Sequence, residues 1–329
     1  MMYPLKFEPF LRTMVWGGER IAPYKQIKTD IPKIGESWEI SGYGEHLTTV
    51  ANGPLKGKTL TEAVREWKSD LVGKKVYAEN GDEFPLLIKF IDAAGDLSIQ
   101  VHPNDEMAVK HHGKGFRGKT EMWYVIDAAP GACLYSGIKT QVSPEEYAAK
   151  VADGSITDIL ARYEVKEGDV FFLPAGRIHA ICSGCLIAEI QQTSDLTYRI
   201  WDYGRLGLDG KPRQLHTDLA KEAIDYNVYP SYKTDYTPAL NQEVEVVSCP
   251  YFTTAVDELT RPMEKDLSSL DSFLVVMCLR GKGQLIDTEA DGEITLDIHQ
   301  GETVLVPASS RSVRFVPDGS MKLLTSCVK

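Results

Sequence analysis

LSIQVH, at residues 97–102, alternates apolar and polar side chains. A period of two predicts a β-strand, in which successive side chains point to opposite faces. Ser98, Gln100 and His102 would therefore share one face, with Leu97, Ile99 and Val101 on the other, and Pro103 would end the strand. A glutamine and a histidine two residues apart on one face can both reach a single ion. The stretch thus predicts half of a metal site, with an ordinary half-exposed strand as the alternative.

Composition limits the class of protein. The chain has 329 residues, of which 43% are hydrophobic and 25% charged, values that are ordinary for a globular chain of about two domains. The formal charge of −11 argues against general binding to nucleic acid or to anionic membranes, and it means that an anionic ligand needs a local basic cluster. We find no run of about 18 apolar residues and no N-terminal signal pattern, so no membrane span is expected. Six cysteines without a regular framework favour free thiols and a cytoplasmic location.

Helix signals and strand signals divide the rest of the chain. Residues 59–78 have apolar side chains at helical spacing, with Thr59 or Thr61 as the cap. Residues 143–146 form a capping box with proline in the first position of a second helix. A further short helix is predicted over residues 156–162. Residues 229–243 are polar and contain two prolines, which indicates a linker or a surface crossing. After residue 243, short apolar runs divided by turns predict a small β-sandwich or barrel.

One pattern of Gly and Pro occurs twice. Residues 168–179, GDVFFLPAGRIH, end in a histidine that follows a Pro-x-Gly turn. Residues 301–312, GETVLVPASSRS, keep the first glycine and the proline in register, but Ser309 replaces the second glycine and Ser312 replaces the histidine. We interpret the two stretches as parts of two related β-domains, of which the second has lost a metal ligand.

The first of these stretches resembles the second motif of the cupins, a family of small jelly rolls. Four further segments make the resemblance more specific than the cupin family as a whole. They are SIQVHPND at residues 98–105, KTEMW at 119–123, WGG at 16–18 and the segment around Arg199. In this order and combination, they are similar to the type I mannose-6-phosphate isomerases of the shorter bacterial kind. The resemblance extends over nearly the whole chain.

A fold and a domain division follow from the resemblance. It implies a mainly β fold with some α, made of two cupin-like jelly-roll domains with helices decorating the N-terminal one. Residues 1–235 would form the catalytic metal-binding domain with helical insertions. Residues 236–329 would form a C-terminal jelly-roll domain without metal ligands.

A metal centre is also implied. The resemblance assigns one zinc ion per chain to Gln100, His102, Glu121 and His179. Two imidazoles, a carboxylate and an amide oxygen make a mixed nitrogen and oxygen set that suits Zn²⁺, with Mn²⁺, Fe²⁺ or Co²⁺ as substitutes. The rival is CSGC at residues 182–185, but a lone Cys-x2-Cys pair lacks its second half, and a hairpin turn is the simpler interpretation.

The activity implied is the interconversion of mannose 6-phosphate and fructose 6-phosphate through a cis-enediol. Arg199 matches the family's active-site arginine, and because arginine stays cationic we assign it to charge stabilisation and substrate positioning. Lys89 and Lys119 match lysines of the family's pocket, where they would bind the substrate and its phosphate. For each of these cations a surface charge is the alternative.

The base is left open between several groups. Glu189 and Asp195 precede the arginine by ten and four residues, and either carboxylate would line the substrate pocket. His102 remains a third candidate. Other cupin sugar-phosphate isomerases or epimerases, metal-dependent oxygenases and non-catalytic sugar-binding cupins are the rival classes. The expected partner is a small sugar phosphate, with no nucleic acid and no membrane, and the expected state is a monomer or homodimer.

Overall fold

The computed structural model describes residues 2–289 and 292–329. Its strands, in chain order, are β1 (Leu5–Glu8), β2 (Phe10–Gly18), β3 (Ile34–Ile40), β4 (Gly42–Tyr43), β5 (His46–Leu47), β6 (Thr49–Val50), β7 (Leu86–Ala93), β8 (Ile99–Val101), β9 (Glu121–Ala128), β10 (Cys133–Ile138), β11 (Leu160–Glu164), β12 (Val170–Leu173), β13 (His179–Ile181), β14 (Cys185–Gln192), β15 (Tyr198–Trp201), β16 (Lys233–Thr234), β17 (Glu243–Ser248), β18 (Thr253–Leu259), β19 (Met263–Asp266), β20 (Leu274–Glu289), β21 (Gly292–His299), β22 (Thr303–Val306) and β23 (Ser312–Cys327). Its helices are α1 (Ile21–Lys25), α2 (Leu60–Trp67), α3 (Ser69–Val72), α4 (Lys74–Asn80), α5 (Asp105–His112), α6 (Pro144–Ala152) and α7 (Thr217–Ala223), with one 3₁₀ turn at Ile156–Ile159. The fold is therefore mainly β, as the sequence predicts.

Two sheets enclose the region that the sequence marks as functional. One has seven strands in the order β16-β12-β9-β14-β7-β2-β3, and the other has five in the order β11-β10-β13-β8-β15. A core cluster that includes Trp123 of the first sheet and Ile181 of the second lies between them. The opposite face of the five-stranded sheet is covered by α6 and α7, and the opposite face of the seven-stranded sheet packs against α2–α4 and the C-terminal strands. The space between the sheets is thus shielded from solvent on both sides.

The helix predicted over residues 59–78 is instead three short helices. Thr59, one of the two threonines that the sequence offers as the cap, caps α2 through a capping box with Glu62. Lys68 and Gly73 then take positive φ values of 48° and 97°, which end α2 and α3 in turn. Among the described residues, no helix has the length and apolar character that crossing a bilayer requires.

The prediction of a short helix over residues 156–162 is only half right. The 3₁₀ turn stops at Ile159, and residues from Leu160 onward form β11, because they pair with β10 at the edge of the five-stranded sheet. Within the predicted linker at 229–243, two residues form β16 and pair with β12. The capping box at Ser143 and Glu146 is confirmed at the start of α6.

The C-terminal strands form a nine-stranded sheet that folds over on itself. β20 and β23 are each 16 residues long and pair along most of their length. Because of bulges near Gly281, the first part of β20 pairs with β22 and the last part with β21. Gly281 has φ of +82°, and a Cβ there would lie 2.1 Å from the carbonyl oxygen of Ser320, so only glycine fits this bend. The two halves enclose a second apolar core.

Two strands from the start of the chain belong to this C-terminal sheet. β1 pairs with β22 through Leu5 and Leu305, and with β6 through Phe7 and Val50. A division of the chain at residue 235 therefore separates β1 from one of its hydrogen-bonded neighbours. The boundary between residues 1–235 and 236–329 stays a prediction.

The strand register supports the internal repeat. Leu173, which precedes Pro174, pairs with Glu121 in the first half of the chain. Val306, which precedes Pro307, pairs with Leu274 in the second half. Where the first half has a carboxylate, the second has an aliphatic side chain that cannot bind a metal.

Candidate metal centre and substrate cavity

Strands of both sheets bring the predicted metal ligands together. His179 begins β13 and pairs with Gln100 in the centre of β8, and Glu121 begins β9 in the facing sheet. Ligand atoms of His102, Glu121 and His179 all lie within 4.8 Å of one another. Each of these three side chains is at most 2% exposed, so the cluster is buried.

The alternation predicted for residues 97–102 holds for residues 98–102 and fails at Leu97. Ile99 and Val101 pack in the cluster beneath α6 and α7, on the face opposite to Gln100. Leu97 lies before the strand, where its N–H donates to the carbonyl of Ile181, and it packs in the core between the two sheets. The prediction that Leu97 shares a face with the other two is therefore wrong.

Backbone carbonyls fix the orientation of both imidazoles. Nδ1 of His102 donates to the carbonyl of Leu196 at 2.7 Å, and Nδ1 of His179 donates to the carbonyl of Arg177 at 2.8 Å. Burial, followed by the Lys119 charge, lowers the pKa of His102 to about 4, and burial also lowers the pKa of His179. Both rings are thus neutral near pH 7, with an Nε2 lone pair facing the cluster, which is the form that binds metals.

Glu121 supplies the negative charge of the cluster. Its Oε2 lies 3.5 Å from His102 Nε2, and its Oε1 lies 3.3 Å from His179 Nε2. Burial opposes ionisation, but the Lys119 ammonium in contact with Oε2 holds the carboxyl pKa well below its usual range. Oε1 is buried without a hydrogen-bond partner among the described residues. An unpartnered buried carboxylate oxygen between two imidazole lone pairs fits a bound cation.

Gln100 lies at the same cluster through its side-chain amide. The amide nitrogen is 3.3 Å from His179 Nε2, and the amide oxygen is 3.5 Å from the Ser98 hydroxyl. Rotation of the amide about its last carbon–carbon bond exchanges oxygen and nitrogen, so that the amide oxygen would be the fourth donor of the cluster, after two imidazole nitrogens and a carboxylate oxygen.

A second buried ion pair lies beside the cluster. Lys89 on β7 and Glu189 on β14 are cross-strand partners, and their charged groups are 3.2 Å apart. Glu189 also accepts a hydrogen bond from the indole of Trp123 at 2.8 Å and lies 3.9 Å from the Lys119 ammonium. Burial would lower the pKa of Lys89, but Glu189 and Glu36 raise it, so this lysine is buried and paired and does not extend into solvent.

A cavity of about 220 Å³ opens beside these groups. Its charged lining consists of five basic side chains, Arg12, Lys89, Lys119, Arg199 and Arg213, and three acidic ones, Glu36, Glu189 and Asp195. The formal balance is 5 − 3 = +2 at this site, although the whole chain carries −11. A small anionic ligand matches both the size and the charge of the cavity.

Sequence reasoning missed three of the charged lining residues. Arg12 and Glu36 form an ion pair at 3.1 Å on neighbouring strands, and Arg12 also lies 3.5 Å from Asp195. For Arg12 a signal was available, because it lies an even number of residues from Trp16 on the same strand and so shares a face with it, and Trp16 also lines the cavity. Nothing in the sequence pattern marks Glu36 or Arg213, since their place in the cavity depends on sheet order and on a loop.

Arg199 on β15 is the cross-strand partner of Gln100 and lines the cavity. Its Nε donates to the Ser98 hydroxyl at 3.3 Å, and its Nη1 donates to the carbonyl of Gln214 at 3.0 Å. Among the part of the chain that the structure describes, it is the only basic group of the cavity without a carboxylate within 4.0 Å. Its guanidinium is available to an anion.

The Cys-x2-Cys pair takes no part in this site. Cys182 and Cys185 flank a turn that joins β13 to β14, strands of different sheets, so the prediction of a hairpin turn is wrong in its pairing. Both thiols are free and buried, and burial raises the pKa of Cys185 to about 12. Protonated thiols of this kind are poor metal ligands and poor nucleophiles.

Comparisons with known proteins agree with this geometry. Residues 5–127 match the family model described as phosphomannose isomerase type I, catalytic domain. The mannose-6-phosphate isomerase ManA of Bacillus subtilis is 35% identical over 308 residues, which are 92% of this chain and 93% of that protein. A mannose-6-phosphate isomerase of Streptococcus mutans is 32% identical over 99% of this chain and 98% of that protein. The chain belongs to the type I phosphomannose isomerases.

Solved structures of phosphomannose isomerases have the same fold. The crystal structure of a mannose 6-phosphate isomerase from Bacillus subtilis has a TM-score of 0.87 at 32% identity and covers 99% of both chains. A phosphomannose isomerase from Salmonella typhimurium has a TM-score of 0.75 over the full length of both chains at 15% identity, which supports the fold alone. The type I phosphomannose isomerase family model takes in Gln100, His102 and Glu121, whereas His179 and Arg199 lie beyond residue 127.

Proposed function

We propose that this protein interconverts mannose 6-phosphate and fructose 6-phosphate, with one Zn²⁺ per chain bound by Gln100, His102, Glu121 and His179. The observation that carries the proposal is the convergence of His102, Glu121 and His179 beside a net positive cavity. The relatives at 32–35% identity are named for this activity.

The donor set supports zinc as the metal. Both imidazoles are neutral, and the carboxylate is ionised with one oxygen that has no hydrogen-bond partner in the described part of the chain. No thiolate is required. A bound divalent ion supplies Lewis-acid stabilisation of negative charge on a substrate oxygen. His102 is committed to the cluster through Nε2 and to Leu196 through Nδ1, which removes it from the candidates for the base.

The reaction requires one proton to move between carbon 2 and carbon 1, and negative charge to be stabilised on an enediol oxygen. Arg199 stabilises that charge and positions the substrate, because it is cationic and lacks a carboxylate partner in the described chain. Lys119, in contact with Glu121, donates a hydrogen bond to a substrate oxygen when the substrate enters. Lys89 holds Glu189 at the cavity wall.

Two carboxylates remain for the proton transfer. Glu189 is buried, accepts a hydrogen bond from the Trp123 indole and forms an ion pair with Lys89, so its carboxylate is fixed in place. Asp195 lies in the loop before β15, with its side chain 34% exposed. Both carboxylates contact the substrate in this proposal. Turnover is to be measured for Glu189→Gln and for Asp195→Asn, and the variant with the larger loss of kcat identifies the base.

A coupled assay tests the activity. Purified protein should convert mannose 6-phosphate to fructose 6-phosphate and leave glucose 6-phosphate unchanged, and metal analysis of the same sample should give one zinc per chain. His179→Ala should lose zinc and turnover. Ser312→Ala, at the position that replaces this histidine in the second half of the chain, should keep both. Binding of the sugar phosphate without turnover would favour a non-catalytic sugar-binding cupin.

The remaining predictions concern the binding partners, the oligomeric state and the cellular location of the protein. We propose a small-molecule partner only, without nucleic acid or membrane, in a cytoplasmic monomer or homodimer. The net charge of −11 supports the prediction that the protein binds neither nucleic acid nor anionic membranes. Light scattering of the purified chain measures the oligomeric state.

A further inference from the structure

The loop that follows β15 brings a second arginine into the cavity. Arg213 lines the cavity, and its Nε and Nη2 donate to the two oxygens of Asp202 at 2.7 and 2.5 Å. Asp202 is at the same time bound by Nε of Arg205 at 2.9 Å. Two arginines therefore share one carboxylate.

Positive charge is in excess at this end of the cavity. Arg199 contacts the carbonyl of Gln214, the residue next to Arg213, and has no carboxylate partner within the described residues. Three guanidinium groups and one carboxylate leave a net charge of 3 − 1 = +2. Burial, followed by the nearby Arg213 charge, lowers the pKa of Arg199.

The other basic groups of the cavity are neutralised locally. Lys89 pairs with Glu189, Lys119 with Glu121, and Arg12 with Glu36, each through a carboxylate within 4.0 Å. A dianionic group that enters the cavity therefore meets uncompensated positive charge at the Arg199 and Arg213 end.

We propose that Arg213 binds the phosphate of the sugar phosphate and determines specificity for phosphorylated over unphosphorylated sugars. This inference rests on the proposed function. Asp202 stays paired when Arg213 turns to the phosphate, because Arg205 keeps its two contacts at 2.9 and 2.8 Å. Arg199 is the cross-strand partner of Gln100 and contacts the carbonyl of Gln214, so it connects this end of the cavity with the metal cluster.

Arg213→Gln and Arg205→Gln form a matched pair of variants, because both arginines bind Asp202 and only Arg213 lines the cavity. In Arg213→Gln we expect the KM for mannose 6-phosphate and the inhibition constant of inorganic phosphate to rise about 10- to 100-fold. The kcat/KM for unphosphorylated mannose should stay nearly unchanged. Arg213→Lys should give an intermediate loss, since it keeps the charge without the planar fork.

A purely structural role gives a different pattern. If Arg213 only braces Asp202, both glutamine variants will lose activity on mannose 6-phosphate and mannose in equal proportion, which overturns the proposal. An unchanged KM and inhibition constant in Arg213→Gln overturns it as well. Calorimetric titration of inorganic phosphate into the metal-loaded wild type and variant decides the question independently of turnover. If the wild type shows no isomerisation but binds phosphate more tightly than Arg213→Gln does, the proposed function fails and the phosphate site stands.

Discussion

Nε2 of His179 lies 3.3 Å from Oε1 of Glu121, the carboxylate oxygen that is buried without a hydrogen-bond partner among the described residues. Two neutral imidazoles and this oxygen leave their lone pairs facing one another, an arrangement that is costly unless a cation lies between them. Because a bound cation would remove this unfavourable arrangement, the stability of the folded protein should depend on its metal content.

Metal removal should abolish activity and lower the melting temperature. Ligands that bind only the native state stabilise it by about 4 kcal/mol at a free concentration 1,000 times the dissociation constant. Chelator-treated protein should be inactive and should regain both activity and melting temperature on addition of zinc. Differential scanning calorimetry and the coupled assay on the same sample check this, and full turnover in metal-free protein would contradict it.

Arg199→Ala should lose turnover and retain the metal. Its guanidinium is assigned to charge that develops in the transition state, and loss of one such donor typically lowers kcat about 10²- to 10³-fold. Zinc content should match that of the wild type, because the side chain of Arg199 contacts the Ser98 hydroxyl and the Gln214 carbonyl, and it is its backbone that pairs with Gln100. Arg162→Ala, on the exposed edge strand β11, is the control and should behave as wild type. Wild-type kcat in Arg199→Ala would place the active centre elsewhere.

The Lys89 and Glu189 pair should show strong coupling in unfolding experiments. Removal of one partner of a buried ion pair commonly costs about 3–5 kcal/mol, because the other charge is left without compensation. Lys89→Met and Glu189→Leu should each destabilise the protein, and the double variant should lose much less than the sum of the two. Urea unfolding of the four proteins gives the coupling free energy, and additive losses would show that the two groups are independent.

Asp287 should make the protein less stable as the pH rises from about 4 to 7. Its side chain is fully buried in the C-terminal sheet, and burial raises its pKa from 3.8 to about 6. The native state therefore binds a proton more tightly than the unfolded state, so the favourable contribution is complete below pH 3.8 and is lost through pH 6. Asp287→Asn should be more stable than wild type by about 1–3 kcal/mol at pH 7, and the difference should vanish near pH 4.

Chemical denaturation at several pH values measures this effect. Asp266→Asn is a contrasting control on β19 of the same sheet. Hydrogen bonds from the Ser268 side chain and N–H lower the pKa of Asp266, so this variant should show no gain in stability at pH 7. A difference between wild type and Asp287→Asn that does not change with pH would show that Asp287 is ionised in the native protein across this range.

The metal cluster was predictable because local pattern and family motifs coincide there. Gln100 and His102 lie two residues apart in a period-two stretch, and His179 follows a Pro-x-Gly turn that begins a new strand. The helix cap at Ser143 was equally local and was predicted correctly, and of the two candidates Thr59 and Thr61 the structure uses Thr59. The long strands β20 and β23 were predicted as separate short runs, because bulges and polar exposed stretches interrupt their apolar pattern without ending the hydrogen bonding.

The wall of the cavity was less predictable because it depends on long-range pairing. Arg12 meets Asp195 across 183 residues of sequence, and Arg213 reaches the cavity only through the course of a loop. The order of strands in each sheet decides both contacts, and no residue pattern within either segment specifies that order. The break of residues 59–78 into three helices likewise depends on the conformation of Lys68, a residue that usually favours helix continuation.

The pairing of β1 with β22 also affects how the chain is made. Leu5 is synthesised some 300 residues before its neighbour Leu305. Until then β1 has an open edge towards β22, so the ribosome-bound intermediate exposes hydrogen-bonding groups that other nascent chains can capture. Shortening the protein from its C-terminus should for this reason cause aggregation and not yield a smaller folded enzyme, a result that pulse labelling with a solubility assay would detect.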